Sequence, residues 1–354
     1  MVTIPKIVFV GGFLGAGKTT LILRAARELE SRGQRVALIV NDQDSELVDT
    51  KRARAERFAT GEVAGGCFCC RFSDLLDRAK ELSAHSPHVI FAEPVGSCID
   101  LSATILQPFH AFHRDLFATA PLTVLLDPQL TQEVLNGEAA PEIAYLFQQQ
   151  IREADIVCLT KADLYPLTPQ LPFPLDFRIS SRSGIGVSSW LEEVLGGRRV
   201  AGARLLDVDY EQYAAAEAAL GWLNVHAAIR LDLPTSPAGF VGPLLDKLDG
   251  ALSDEDIRIV HLKLFDQTWH GYVMASIRAN GGEPDPQGDL IADPTTDHQL
   301  AINLRALGDA ALLRRIVERV LSEIPGCVDV RHFRAFHPMP PKPEHRFASV
   351  VKIL

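Results

Sequence analysis

One eight-residue segment near the N-terminus constrains the fold of this chain more than any other feature. Residues 12–19, GFLGAGKT, fit the pattern G-x-x-x-x-G-K-[ST] in full. The apolar run KIVFV at 6–10 precedes them, and a helical pattern from Lys18 to Arg32 follows, with Gly33 as its stop signal. A phosphate-binding loop requires this strand–loop–helix context. The sequence therefore predicts a nucleotide phosphate site between the first strand and the first helix.

The residue types of this loop suit phosphate chemistry. Glycines let backbone N–H groups wrap the phosphates, and the N-terminus of the helix adds the positive end of its dipole. Lys18 would reach the β- and γ-phosphates, and the Thr19 hydroxyl would bind Mg²⁺. The expected phosphate contacts are Gly12, Gly15, Ala16, Gly17, Lys18, Thr19 and Thr20.

The order of the predicted elements indicates the fold class of the N-terminal part. Continuous apolar runs alternate with helical patterns, which is typical of a parallel sheet with helices on both faces. These runs lie at 6–10, 36–40, 89–92, 122–126, 156–159 and 177–179. We therefore expect an α/β P-loop NTPase domain over residues 1–198, followed by a linker over 199–220.

Residues 221–354 are expected to form a smaller α+β domain. Short connections between its strand-like runs favour antiparallel pairing, and 309–324 has the clearest helical spacing of apolar residues. The tail at 337–346 carries four prolines and is expected to be extended. This domain carries no recognisable motif, and it is the expected contact for a client or partner.

Composition excludes several classes of protein. The chain has 354 residues, 47% hydrophobic and 23% charged, which fits an ordinary globular protein of about two domains. Its net charge of −10 argues against sequence-independent nucleic-acid binding. No apolar run reaches the roughly 18 residues of a membrane span, and the N-terminus lacks the layout of a signal peptide. A cytoplasmic location, with neither nucleic acid nor membrane as partner, is the expectation.

A second motif bears on the identity of the base. TKAD at 160–163 follows an apolar strand and resembles the guanine-reading N/T-K-x-D motif of GTPases. The Asp163 carboxylate can accept hydrogen bonds from guanine N1–H and the exocyclic amine, a donor pair that adenine lacks. The Lys161 stem would pack along the base, beside Thr160. Ser181, after the next strand, resembles an element whose backbone N–H meets the guanine oxygen.

Three further residues are candidates for the hydrolytic site. Glu93 ends the apolar strand 89–92 and would hold Mg²⁺ through a water molecule, as in a Walker B strand. Gly96, three residues on, could contact the γ-phosphate. Asp42 follows the second strand and could position Mg²⁺ or the attacking water. The expected catalytic residues are Lys18, Asp42 and Glu93.

A cluster of cysteines points to a different chemistry. Cys67, Cys69 and Cys70 fall within four residues, whereas Cys98, Cys158 and Cys327 are scattered and are expected to be packed core residues. For Cys98, which lies just beyond Gly96, a transient metal ligand is the alternative. Thiolates favour soft metals, and Zn²⁺ or Co²⁺ would suit this group. Three thiolates leave one position of a tetrahedral site open, as a transfer site needs. A redox-active thiol cluster and simple burial of small apolar residues are the alternatives.

Together these motifs resemble the CobW-type GTPases, metallochaperones related to UreG and HypB. The matching elements, in order, are the loop at 12–20, GCFCC at 66–70, the E-x-x-G at 93–96 and TKAD at 160–163. The resemblance implies GTP hydrolysis coupled to delivery of a transition metal to a client metalloprotein or a cofactor-synthesis enzyme. It is also compatible with a homodimer.

Two departures from the family pattern affect this interpretation. The second strand of the family continues as N-E-F-G-E, whereas this chain has NDQDS at 41–45, so slow hydrolysis is expected. The 11 histidines are dispersed and form no His-rich loop. A nucleotide-dependent regulatory or scaffold protein with a structural thiol cluster is the main alternative. A P-loop kinase is a third hypothesis, which the guanine-type motif disfavours.

Overall fold

A computed structural model describes residues 4–43, 56–166 and 170–352. They divide into two compact units. The first contains the described residues up to Ala216 together with the C-terminal segment from Pro340 onward, and the second is Glu217–Met339. The division differs from the sequence-based boundaries at 199–216 and after Met339. Both segments are hydrogen-bonded to residues of the first unit, and the C-terminal one is described below.

The first unit is built on a parallel sheet. Its strands are β1 (Lys6–Gly12), β2 (Val36–Asn41), β3 (Ala59–Val63), β4 (Val89–Glu93), β5 (Ala118–Thr119), β6 (Thr123–Leu126), β7 (Ile156–Leu159) and β8 (Phe177–Arg178). Their order in this eight-stranded sheet is β3-β2-β4-β1-β6-β7-β8, with β5 beside β1. The parallel α/β fold class expected from the alternating apolar runs is confirmed. Strand β3 was not predicted, because its sequence ATGEV is short of apolar residues.

Helices cover this sheet. They are α1 (Lys18–Ser31), α2 (Phe72–Ser83), a π-helical turn (Ser102–Leu106) that leads into α3 (Gln107–Phe112), α4 (Pro128–Asn136), α5 (Pro141–Glu153), α6 (Val187–Leu195) and α7 (Tyr210–Ala218). The buried face of α1 packs with that of α6 against the strands. Trp190 of α6 stacks on Phe91 of β4 and donates its indole N–H to the Thr123 hydroxyl at 3.0 Å. These contacts fix the helix that follows the phosphate loop.

The strand register brings the candidate residues to one edge of the sheet. Strand β4 lies between β1 and β2, with Phe9 opposite Ala92 and Val40 opposite Glu93. The carboxyl ends of all three strands therefore meet at the same edge, where open α/β sheets bind their ligands.

The second unit is a separate antiparallel sheet, as expected. Its strands are β9 (Leu220–Thr235), β10 (Arg258–Thr268), β11 (Gly271–Ile277), β12 (Gln287–Gly288), β13 (Thr295–Leu307) and β14 (Gly326–Phe336), and its helices are α8 (Pro237–Ser253) and α9 (Ala310–Ser322). The sheet order is β12-β11-β10-β13-β9-β14. Apolar side chains of both helices pack against the strands in one core, with Leu248 and Val317 fully buried.

Two outcomes concern cysteines and membranes. Cys98 and Cys158 are buried as expected, whereas the prediction of a core position for Cys327 is wrong. Cys327 is exposed because it lies at the start of β14, an edge strand of the second sheet.

Within the described ranges, no helix combines the length and the apolar character needed to cross a bilayer.

Candidate nucleotide and metal site

The phosphate loop takes a conformation that its glycines make accessible. Gly12, Gly15 and Gly17 have φ angles of 129°, 76° and 90°, which other residues rarely adopt. A Cβ at Gly12 would lie 2.4 Å from the backbone oxygen of Leu125. Gly17 is the N-cap residue of α1 and has no side chain to compete for the N–H groups of the first turn. The loop therefore leads directly into a helix N-terminus that no side chain caps, as a phosphate site requires.

Three predicted polar residues meet at the start of α1. Lys18, Thr19 and Glu93 are all buried, and the Thr19 hydroxyl donates to Glu93 Oε1 at 2.9 Å. The Lys18 ammonium donates to the backbone oxygen of Gly12 at 2.9 Å. Mg²⁺ prefers oxygen ligands, so the Thr19 hydroxyl and, through a water molecule, the Glu93 carboxylate suit that ion. Thr20, next along the helix, is half-buried.

Gly96 lies against the phosphate loop. A Cβ at this position would be 3.0 Å from Lys18 Nζ and 3.0 Å from the backbone nitrogen of Leu14. The buried Gln150 amide donates to the backbone oxygens of Gly96 at 2.9 Å and Cys98 at 3.0 Å. Gln150 carries no motif signal, so the sequence analysis missed its role in fixing this turn.

The guanine-type motif begins at the end of β7. Thr160 is buried and donates its hydroxyl to the backbone oxygen of Leu126 at 3.0 Å. Lys161 has a positive φ of 54°, and its ammonium lies 2.9 Å from the Asp127 carboxylate. That carboxylate also caps α4, so Asp127 links Lys161 to the neighbouring strand end. Asp127 lies in no motif and is not among the predicted site residues.

The other base-reading candidates lie in adjacent loops. The Ala162 N–H donates to the backbone oxygen of Ile179 at 3.1 Å, which ties the loop after β7 to the loop after β8. Asp163 is exposed, and Ser181 is half-buried in the second of these loops. The two loops thus bring both candidates to one side of the sheet edge.

Asp42 lies just beyond the end of β2. Its backbone N–H donates to the Val63 oxygen at 3.2 Å, and its carboxylate accepts from the Gln43 N–H at 2.6 Å. Strand β2 pairs with the strand that ends in Glu93, so the two acids follow neighbouring strands. The remaining residues of the unusual NDQDS segment, Asp44 and Ser45, lie outside the described residues.

The three clustered cysteines converge. Their sulfur atoms are separated by 2.9 Å between Cys67 and Cys69, 3.3 Å between Cys67 and Cys70, and 3.7 Å between Cys69 and Cys70. Among the described residues they form the one group of at least three metal-ligating side chains with all ligand atoms within 4.8 Å. Sulfur atoms around a tetrahedral Zn²⁺ lie about 3.8 Å apart, given Zn–S bonds of about 2.3 Å. Small side-chain shifts would therefore fit the group to that ion.

The thiols have unequal proton affinities. Hydrogen bonds from Cys69, Cys70 and Cys98 lower the pKa of the Cys67 thiol well below its usual value. The hydrogen bond to Cys67 raises the pKa of Cys69, and it raises that of Cys70 to about 11. Cys67 is accordingly the most acidic thiol of the group, and a bound metal would displace the protons that the three thiols carry. Cys98, expected to be a packed core residue, is both buried and in contact with this cluster.

Asn41 anchors the thiol loop to the sheet. Its amide donates to the backbone oxygens of Val63 at 2.9 Å and Gly66 at 2.7 Å, and it accepts from the Phe68 N–H at 2.8 Å. The loop that carries the cysteines is thus fixed to the last residue of β2, beside the strand that ends in Glu93. Asn41 is not among the predicted site residues, because no local pattern indicates this role.

Comparison with known families gives a match over the first unit. Residues 6–171 match the profile of the family described as CobW/HypB/UreG, nucleotide-binding domain. The chain is 30% identical over 197 residues to the zinc chaperone CobW of Pseudomonas aeruginosa, covering 46% of this chain and 51% of that protein. It is 28% identical over 160 residues to the zinc chaperone YjiA of Escherichia coli, covering 43% and 48%. The chain therefore spans about half the length of these relatives.

Two solved structures align with this chain at low identity and low TM-score. Zn(II)-bound YjiA GTPase from E. coli is 16% identical with a TM-score of 0.36, and the match covers 89% of this chain and 98% of that one. HypB from Helicobacter pylori in complex with nickel is 16% identical with a TM-score of 0.40, covering 58% and 92%.

Proposed function

We propose that the protein is a GTP-hydrolysing metallochaperone, because residues 6–171 match the CobW/HypB/UreG nucleotide-binding domain and the chain is similar to a zinc chaperone. It carries a thiophilic metal ion on Cys67, Cys69 and Cys70 and delivers that ion to a client. One observation carries the proposal: three thiols converge within 4.8 Å on a loop that Asn41 ties to the strand end beside Glu93.

Backbone N–H groups of the phosphate loop bind the α- and β-phosphates, and Lys18 contacts the β- and γ-phosphates. Asp163 selects guanine because an adenine would leave its carboxylate without the two donors it pairs with. Lys161, oriented by Asp127 at 2.9 Å, packs its stem along the base. Ser181 contributes its backbone N–H to the guanine oxygen.

Hydrolysis uses residues at the ends of β2 and β4. Thr19 and Glu93 would hold Mg²⁺, which when bound neutralises charge that develops on the phosphates. Asp42 orients the attacking water, and Gly96 contacts the γ-phosphate through its backbone. Asp42 stands where the family has a glutamate followed by a different segment, which is consistent with slow turnover.

The cargo is Zn²⁺ or Co²⁺, since three thiolates suit both ions. Two relatives are named zinc chaperones, which favours zinc. The open fourth position of a three-thiolate site accepts a ligand from the acceptor during transfer. The acceptor is a client metalloprotein or a cofactor-synthesis enzyme, encountered in the cytoplasm, and a homodimer is compatible with this scheme.

Zinc affinity measured in two nucleotide states tests the proposal. We expect the GDP-bound protein and the protein with a non-hydrolysable GTP analogue to differ, because Asn41 and Glu93 end neighbouring strands. GTP should be hydrolysed, and it should compete for the site far better than ATP. Equal zinc affinities would disprove the coupling between nucleotide state and metal binding. Undetectable zinc binding would disprove the metallochaperone function.

Paired cysteine variants separate delivery from a structural role of the thiols. Replacing Cys67 and Cys69 by serine should abolish zinc binding and leave GDP binding intact. The matched control is Cys327→Ser, because Cys327 is an exposed cysteine of the second unit. A double variant that still transfers zinc to an acceptor would contradict the assignment.

A further inference from the structure

The C-terminal segment of the chain lies on the thiol loop. The backbone N–H of Lys342 donates to the Cys70 sulfur at 3.1 Å, and the N–H of Glu344 donates to the backbone oxygen of Cys69 at 2.9 Å. These two donors belong to alternate residues of a segment without regular secondary structure. An extended peptide docks in the same way when alternate backbone groups bond to one neighbouring segment.

The carboxylate of Glu344 caps helix α2. It accepts hydrogen bonds from the Ser73 N–H at 3.1 Å and the Ser73 hydroxyl at 2.6 Å. The N-cap residue of this helix is Arg71, whose guanidinium instead donates to Asp74. A carboxylate at a helix N-terminus satisfies exposed N–H groups and interacts favourably with the helix dipole. The helix that follows the cysteines therefore takes its cap from a residue 271 positions away.

Aromatic contacts extend this attachment. The His345 ring lies 5.3 Å from the Phe72 ring and 5.6 Å from the Phe112 ring, measured between centroids. Phe347 lies 5.8 Å from Phe112, and its N–H donates to the backbone oxygen of Ala103 at 3.1 Å. The segment thus covers an aromatic surface next to the thiol loop.

An ion pair completes the attachment. Arg346 Nε lies 2.7 Å from an oxygen of the buried Asp100, which also accepts from the Tyr210 hydroxyl at 2.8 Å. A second guanidinium nitrogen of Arg346 donates to the backbone oxygen of Leu206 at 2.9 Å. Hydrogen bonds between ionised partners are about twice as strong as neutral ones, so Arg346 is a main attachment point.

The burial of the three thiols shows which side of the cluster is covered. Cys67 and Cys69 are buried, whereas Cys70 is half-buried. A metal ion or an acceptor ligand therefore approaches from the side of Cys70, where the N–H of Lys342 is bonded to the sulfur. The backbone at Lys342 occupies space beside that sulfur, so a ligand approaching from this side has to displace it.

We propose that residues 341–347 act as a self-bound peptide that closes the thiol site. A metal acceptor opens the site by docking an extended segment of its own in the same place, with an acidic side chain at the position of Glu344. The acceptor segment takes over the cap of α2 but carries a metal-ligating side chain at the position of Lys342, so that its own ligand, and not a covering backbone, meets Cys70 during transfer. This inference rests on the function proposed above for its metal-transfer step, whereas the closure itself concerns the thiols alone.

Alkylation of metal-free protein by iodoacetamide, followed at Cys70 by mass spectrometry, measures the closure directly. The double variant Glu344→Ala/Arg346→Ala should react at least about tenfold faster than the parent chain, since tenfold is the factor expected for loss of a single charged hydrogen bond. The control Glu318→Ala/Arg319→Ala removes the same residue types from the exposed face of α9 and should react at the parent rate. Equal rates in all three proteins would overturn the proposal.

A peptide supplied in trans tests whether this surface accepts a separate chain. In a chain that ends at Met339, Cys70 should be alkylated rapidly, and a synthetic peptide of residues 338–350 should restore protection. The same peptide with Glu344→Ala should protect at least about tenfold less well. If the shortened chain does not bind GDP, the peptide is tested instead on the double variant. Failure of the parent peptide to protect would exclude docking by an acceptor segment.

Zinc release separates this inference from the proposed function. Zinc should pass to a chromogenic chelator faster from the double variant than from the parent. If the parent chain binds no zinc, the proposed function fails, while the alkylation rates still decide whether residues 341–347 close the thiol site.

Discussion

The phosphate loop and the thiol loop are built in opposite ways. The phosphate loop is one contiguous segment, and its shape follows from its own glycines and the helix that begins at Lys18. The thiol loop depends on Asn41 from an earlier strand and on Lys342, 272 residues beyond Cys70. The proposed phosphate site is thus formed by one local segment, whereas the proposed metal site depends on the tertiary structure. The metal site can therefore be opened or closed while the nucleotide site keeps its shape.

The largest expected effect is a loss of GTP turnover that leaves zinc binding unchanged. In Lys18→Ala, turnover of GTP should fall about 10²- to 10³-fold, because a donor to the developing phosphate charge is lost. Zinc affinity of the nucleotide-free protein should stay within a factor of two. Steady-state phosphate release and competition with a zinc indicator measure the two quantities. Lys80→Ala, an exposed lysine of α2, is the control, and an equal loss of zinc affinity in K18A would contradict a local phosphate site.

The next largest effect is a loss of zinc binding that leaves GDP binding unchanged. Cys67→Ser should weaken zinc binding by more than about 100-fold, since loss of a ligand exceeds the 10- to 100-fold cost of losing an outer-shell partner. GDP affinity, measured by calorimetry, should not change. A serine variant that binds zinc like the parent chain would show that Cys67 is not a ligand.

A smaller effect tests the link between the two loops. Asn41→Ala should weaken zinc binding about 10- to 100-fold, because Asn41 orients the loop that carries the ligands. It should also cost about 1–3 kcal/mol of unfolding free energy, since buried backbone groups lose their partners. Asn303→Ala removes a buried, hydrogen-bonded asparagine from the second unit and is the matched control. If both variants lose zinc affinity equally, the loss reflects general instability.

The smallest effect concerns the turn between the loops. Gly96→Ala places a methyl group 3.0 Å from Lys18 Nζ and from the Leu14 nitrogen, so it should weaken GTP binding about tenfold. Gly242→Ala, at a position with open space around it, is the control. Fluorescence titration with labelled GTP and GDP gives both affinities. Unchanged GTP affinity would place the γ-phosphate away from Gly96.

Short sequence motifs were sufficient to predict those features that are formed by residues close together in the sequence. The parallel sheet, the phosphate loop and the convergence of Cys67, Cys69 and Cys70 were all accessible from short patterns. Asn41, Gln150 and the C-terminal segment were not, because an asparagine, a glutamine and a proline-rich tail acquire their roles only through partners far away in sequence. Cys98 was assigned to the core on its isolation in the chain, yet the fold brings its thiol to Cys67.

The Gln150 side chain has a mechanical consequence. One amide group donates to the backbone oxygens of both Gly96 and Cys98, so the short turn between them is expected to move as one rigid unit. A shift at its Gly96 end either carries the Cys98 thiol with it or breaks a buried hydrogen bond, at a cost of about 1–3 kcal/mol. Because of that cost, even a small displacement of Gly96 at the phosphate site favours a matching displacement of the Cys98 sulfur atom.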